Sequence, residues 1–152
     1  NDDIKGPGGE YFLTVALDTM INEGKIFKIA TVDEWLDCGT LPAWLDTTGE
    51  ILAKENHAFD ASKYPNTTII PPVFIADGVT IENSTIGPKV SIEKGTEIKN
   101  SNIANTIIRE HASLEGVETS GSTIGANTIL KNVKGKVDVG DHSTLEIDLF
   151  RG

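Results

Sequence analysis

A carboxylate able to hold a hard cation stands at Asp37, within the run Glu34-Trp35-Leu36-Asp37-Cys38-Gly39-Thr40. Carboxylate oxygens suit Mg²⁺, but a carboxylate just ahead of a helix also caps backbone amides, and spacing alone favours the cap. Three imidazoles, His57, His111 and His142, could accept protons near neutral pH or could simply be solvated or locally hydrogen-bonded. Of these, only His111 falls inside a repeat, where a base facing a cleft between subunits could work. The single thiol, Cys38, has no His beside it in sequence and reads as a small buried hydrophobe. Glu10 and Tyr11 could approach a polar substrate, or be no more than a surface carboxylate and a helix-start aromatic. Trp35 and Trp44 are expected to pack a core.

Two stretches of different period must position these residues. In the first, Leu13, Ala16, Leu17, Met20 and Ile21 recur on one face of a helix, and Gly24 follows as its terminator. Ile26 to Val32 is apolar and β-branched and predicts a strand. Asp33 to Gly39 reads as a loop. Thr40 then caps a second helix with Pro42 in its first turn, with Leu41, Trp44, Leu45, Thr48 and Leu52 on one face, ending near Glu55. Gly49 weakens this helix without breaking it. One strand cannot satisfy its own edges, so the expectation is part of an α/β layer whose remaining strands lie outside this chain.

From Ile69 onward the period changes. Ile75, Ile81, Ile86, Ile92, Ile98, Ile103, Ile108, Leu114, Ile124 and Leu130 recur about every six positions, with slips to five. Val79, Val90, Thr96, Ala112 and Thr128, four places after a repeat residue, are small or branched. A six-residue period fits neither a helix nor simple strand alternation. It suits a coil in which each hexad supplies a short strand and a turn, and three hexads close a triangle. The slips place Asn83-Ser84, Asn100-Ser101 and Asn105-Thr106 near corners, where Asn tolerates left-handed backbone angles. Thr119 to Ser122 is expected to bulge as a loop, and Lys134 to Leu149 to form the last strands and close the open end. The domain reading is thus residues 1–56 as the helix-strand-loop-helix part, 57–68 as a linker and 69–152 as the solenoid.

Composition narrows the function. The chain has 152 residues, with 13 Lys and Arg against 23 Asp and Glu, for a net charge of −10. Such a balance argues against grasping a nucleic acid across a broad face. A single cysteine excludes an internal disulfide framework and leaves a cytoplasmic setting as the expectation. No apolar run is long enough for a membrane span, and no secretory signal opens the chain. The start on Asn1, with Gly6-Pro7-Gly8-Gly9 close behind, suggests a piece of a longer polypeptide.

The hexads, nearest in Ile86-Gly87-Pro88-Lys89-Val90-Ser91 and Ile124-Gly125-Ala126-Asn127-Thr128-Ile129, resemble the Ile-Gly-x-x-x-x repeats of left-handed parallel β-helices. Acyltransferases and sugar-nucleotide pyrophosphorylases both use that scaffold. Trp35-Leu36-Asp37-Cys38-Gly39-Thr40 is similar to the Trp-x-Asp-x-Gly-Thr signature of sugar-phosphate nucleotidyltransferases, and Gly9-Glu10-Tyr11-Phe12-Leu13-Thr14 to their Gly-Glu-x-x-Leu-Thr segment. Val139-Gly140-Asp141-His142-Ser143-Thr144-Leu145-Glu146-Ile147 resembles the ending of the long thymidylyltransferase forms that carry a β-helix.

The resemblance implies a mainly β chain, a left-handed parallel β-helix preceded by a small α/β remnant of a nucleotidyltransferase domain. It implies Asp37 as a ligand of Mg²⁺, with a nucleoside triphosphate and a sugar 1-phosphate as substrates, dTTP and glucose 1-phosphate foremost. The second metal-binding Asp and the glycine-rich triphosphate loop of that family are not in this sequence, so the piece alone is expected to be inactive. The β-helix is expected to assemble a homo-oligomer. One rival reading, a hexapeptide-repeat acyltransferase using acetyl-CoA, would make His111 the base; another makes the β-helix a purely structural oligomerisation module.

Overall fold

Ten hexads with an inward aliphatic residue and an inward small one require strands only two or three residues long, joined by corners tight enough to demand left-handed backbone. The computed structural model, which describes residues 12–55 and 57–148, has this form. Twelve strands run from β1 (Thr68–Ile69) to β12 (Thr144–Glu146), and all their pairings are parallel. They stack in three rows. One row is β1, β4 (Thr85–Ile86) and the first halves of β7 (Asn102–Ile108) and β9 (Glu118–Ile124). The second is β2 (Val73–Ile75), β5 (Val90–Ile92), the second halves of β7 and β9, and β11 (Asp138–Val139). The third, β3 (Thr80–Glu82), β6 (Glu97–Lys99), β8 (Ser113–Glu115), β10 (Ile129–Lys131) and β12, has one strand from each of five coils. The chain is therefore a parallel β-solenoid of about five turns.

The inward positions are those the hexads mark. Ile81, Ile86, Ile92, Ile98, Ile103, Ile108, Leu114, Ile124 and Leu130 are buried, with Val79, Val90, Thr96, Ala112 and Thr128 between them. Burying each large aliphatic side chain contributes about 1.5–3 kcal/mol, and the column runs unbroken through the stack. Polar groups in the interior are all partnered among the described residues. Ser101 Oγ donates to the Lys99 carbonyl at 2.7 Å and accepts the Val117 amide at 3.0 Å, and Ser84 Oγ repeats this one coil earlier, donating to Glu82 O at 2.7 Å and accepting Ser101 N–H at 3.1 Å.

Corners fall where the hexads slip. Asn83, Asn100 and Asn105 have φ of 49°, 52° and 42°. Asn66, Asn83 and Asn100, 17 residues apart, also form a ladder of side-chain amides, with Nδ2 to Oδ1 at 3.0 and 3.3 Å. A coil thus begins at 17 residues and tightens to 16 and then 15, as the Ser101–Val117 and Lys131–Glu146 pairings show. Thr119 to Ser122 does not bulge as expected. It lies within β9, because Gly121 at φ 72° turns the corner without leaving the strand, and the Thr119 and Ser122 hydroxyls are buried against each other. Lys134 onward supplies the last strands, β11 and β12.

The chain divides into two compact units after Trp35. In the first, α1 (Leu13–Asn22) forms as its periodicity requires, and Gly24 at φ 81° ends it, with Gly24 N–H on Ile21 O at 2.9 Å and Lys25 N–H on Met20 O at 3.0 Å. Its apolar face buries nothing completely. The strand expected over Ile26–Val32 is absent: no neighbouring strand among the described residues offers it a ladder, and Ile26 and Ile29 are 91% and 100% exposed. Trp35, expected in a core, is 83% exposed.

In the second unit, α2 (Leu41–Lys54) starts where Thr40 Oγ1 accepts the Ala43 amide at 3.3 Å, with Pro42 in its first turn. Leu45 and Leu52 are buried, Trp44 is half-buried, and the helix packs on β5, β7 and β9. That contact explains why Ile107 and Thr123, which point outward from their strands, are nonetheless buried. Gly49 is buried where the aliphatic stem of Lys89 crosses the helix, so the weak helix former is the one that fits.

Candidate functional site

Asp37 sits on the exposed turn that leads into α2. Its Oδ1 accepts the Gly39 amide at 2.9 Å, and its carbonyl accepts Thr47 Oγ1 at 2.6 Å. The side chain thus fixes the turn, while the buried Thr47 hydroxyl pins that turn to the helix. Among the described residues no three His, Cys, Asp or Glu side chains converge on a point. Asp37 offers one hard oxygen donor, and these residues do not by themselves compose an Mg²⁺ site. Cys38, expected to be buried, is exposed on the turn ahead of α2. Glu10 and Tyr11 lie outside the described residues.

The histidines have structural explanations. His111 and His142 occupy left-handed corners, at φ 58° and 59°, in the position that Gly78, Gly95 and Asn127 fill in other coils. The His111 ring lies over Gly95, where any added Cβ would strike it. His57, just beyond α2, pairs Nε2 with Glu55 Oε2 at 3.2 Å and stands edge-on to Phe74 at 5.0 Å between ring centres.

A cavity of about 330 Å³, not evident from the sequence, opens between the N-terminal turn of α2 and the last coils. Its origin is a corner column. From the second coil on, the residue after each inward aliphatic of the second row is Glu93, Arg109, Gly125 and Gly140. The first two carry side chains that pair, Arg109 Nε to Glu93 Oε2 at 3.1 Å, whereas the two glycines leave a space above Arg109. Trp44 and Leu41 wall it from α2, and Asp138 and Asp141 close it from the final coil. Asp141 Oδ1 accepts the Ala126 amide at 2.8 Å. Asp138 Oδ1 accepts Thr123 N–H at 3.0 Å and Thr123 Oγ1 at 2.8 Å, and Oδ2 meets Lys136 Nζ at 3.3 Å.

Electrostatics follow these contacts. Burial alone would raise the Asp138 carboxyl, but the Thr123 and Lys136 contacts outweigh it and hold the carboxyl below the usual range. The Arg109 guanidinium is held above its ordinary value, first by its hydrogen bond to Glu93. Aligning the repeats at 16 residues rather than at 18 would have brought Glu93, Arg109, Gly125 and Gly140 together from sequence; the hexad count alone does not.

Fold and site together define a parallel β-solenoid with a helix strapped across one row. No protein-family model matches the chain, and no curated protein matches it. No helix among the described residues is long and apolar enough to cross a membrane.

Proposed function

We propose that the chain is the C-terminal part of a sugar-1-phosphate nucleotidyltransferase, which joins a sugar 1-phosphate to a nucleoside triphosphate and releases pyrophosphate. The observation that carries this reading is the Asp37 turn: an exposed carboxylate in a Trp-x-Asp-x-Gly-Thr run, held by Gly39 and Thr47 at the mouth of a helix fastened to a hexapeptide-type solenoid. A carboxylate fixed in this way can lend one oxygen to Mg²⁺ alongside phosphate oxygens. When bound, the metal offsets charge where phosphates crowd. The Asp37 turn keeps that oxygen in place, and dTTP with glucose 1-phosphate is the favoured substrate pair.

The exposure of Ile26, Ile29, Val32 and Trp35 in the first unit also supports the reading, as side chains that the rest of a catalytic lobe would cover. The solenoid would serve assembly of a homo-oligomer. For the acyltransferase alternative, His111 is the base expected within the hexads, and its ring lies over Gly95 without a carboxylate partner among the described residues. The test is Mg²⁺-dependent pyrophosphate release by the polypeptide that carries the complete catalytic lobe. Asp37→Asn, which can still accept the Gly39 amide and keep the turn, is expected to lower turnover by about 100-fold or more. Undiminished release would remove Asp37 from the metal site.

A further inference from the structure

The cavity above Arg109 has the features of a small-ligand site, and it stands on the second unit alone, independent of the nucleotidyltransferase reading. Its floor is backbone, because Gly125 and Gly140 present no side chains. Gly125 cannot carry one, since a Cβ there would overlap the Gly140–Asp141 peptide of the coil above. One wall is the half-buried Trp44 ring. The polar lining carries both signs, Arg109 against Asp138 and Asp141.

We propose that this cavity binds a neutral polyhydroxylated ligand, of the size and chemistry of a monosaccharide. The Trp44 side chain, as an apolar wall, suits the C–H side of a pyranose ring. Carboxylates accept, and a guanidinium donates, hydrogen bonds that fixed hydroxyls can satisfy in both directions. Charge argues against a phosphate: the lining holds two carboxylates and one guanidinium, and that guanidinium is already paired with Glu93. Arg109 in the lining argues equally against a compact cation. A mostly apolar cleft with a few convergent polar groups is the usual form of such sites.

The experiment uses the whole chain with Trp35→Phe, which leaves Trp44 as its one tryptophan. Its emission is followed against D-glucose, D-mannose and D-galactose, with inorganic phosphate and methylammonium as charged probes. The expected result is a saturable change with at least one hexose, with a dissociation constant on the order of 5 mM as befits a ligand of about twelve heavy atoms. Asp141→Asn, which can still accept the Ala126 amide, should weaken it at least about fivefold, roughly 1 kcal/mol. Gly140→Leu should abolish it by filling the space, and it should fold, since a Cβ at Gly140 meets nothing within 4 Å. No change with any hexose up to about 100 mM, a change that survives Gly140→Leu, or saturation by phosphate or methylammonium in place of the hexoses would each overturn the assignment.

Discussion

Ser101 shows how single polar residues fix the coil. Its hydroxyl spends its proton on Lys99 O and takes the Val117 amide in the buried corner. Ser101→Ala leaves that amide without a partner, and a buried unsatisfied donor costs about 1–3 kcal/mol. The midpoint of chemical denaturation should fall accordingly with an unchanged slope. Asp138 acts at the other end of the stack, tying β11 to Thr123 of β9. Its carboxyl is held below the ordinary range, so its contribution is present above the unfolded value of about 3.9 and is lost as pH falls through the lower folded value. The closing coil should therefore lose amide protection in acid before the inner coils, and Asp138→Asn should remove most of that pH dependence. Such roles were partly legible in the sequence. Asn at the slips announced left-handed corners, but His111 and His142 at the corner that follows the second row did not, because imidazoles suggest chemistry before they suggest geometry.

At the scale of elements, the register of the third row makes a second device. Glu82, Lys99, Glu115, Lys131 and Glu146 stand opposite one another in successive coils, alternating in sign. Opposite charges directly across a ladder contribute and like charges oppose. Lys99→Glu would put three carboxylates in a row and should lower stability by about 1 kcal/mol. The loss should shrink at high salt, where exposed charges are screened. The hexad period led to the strands and their inward residues, and the Thr40 cap, Pro42 and a helical apolar face led to α2, since each is decided by local pattern. The strand expected over Ile26–Val32 was not decided locally: β-branched residues favour extended backbone, but a strand exists only with a neighbour, and none among the described residues supplies one. Likewise, Trp44 met a partner surface on the solenoid while Trp35 met none. The pairing of α2 with β5, β7 and β9, and hence the cavity beside it, depends on contacts across half the chain that no window of sequence contains.

At the scale of the molecule, the three rows differ. The second is packed by α2, the third bears alternating charge, and the first presents Thr68, Thr85, Asn102 and Glu118, whose Oε1 meets Lys134 Nζ at 2.8 Å. The solenoid thus has distinct sides, and under the proposed function one of them would meet other subunits. The most direct measurement is release of pyrophosphate, in the presence of Mg²⁺, by the polypeptide with the complete catalytic lobe, across a panel of nucleoside triphosphates and sugar 1-phosphates, with acetyl-CoA consumption followed in parallel. The account predicts stoichiometric pyrophosphate and nucleoside-diphosphate sugar, fastest with dTTP and glucose 1-phosphate. Saturable acetyl-CoA turnover, lost in His111→Ala and unaccompanied by pyrophosphate from any pair, would contradict it.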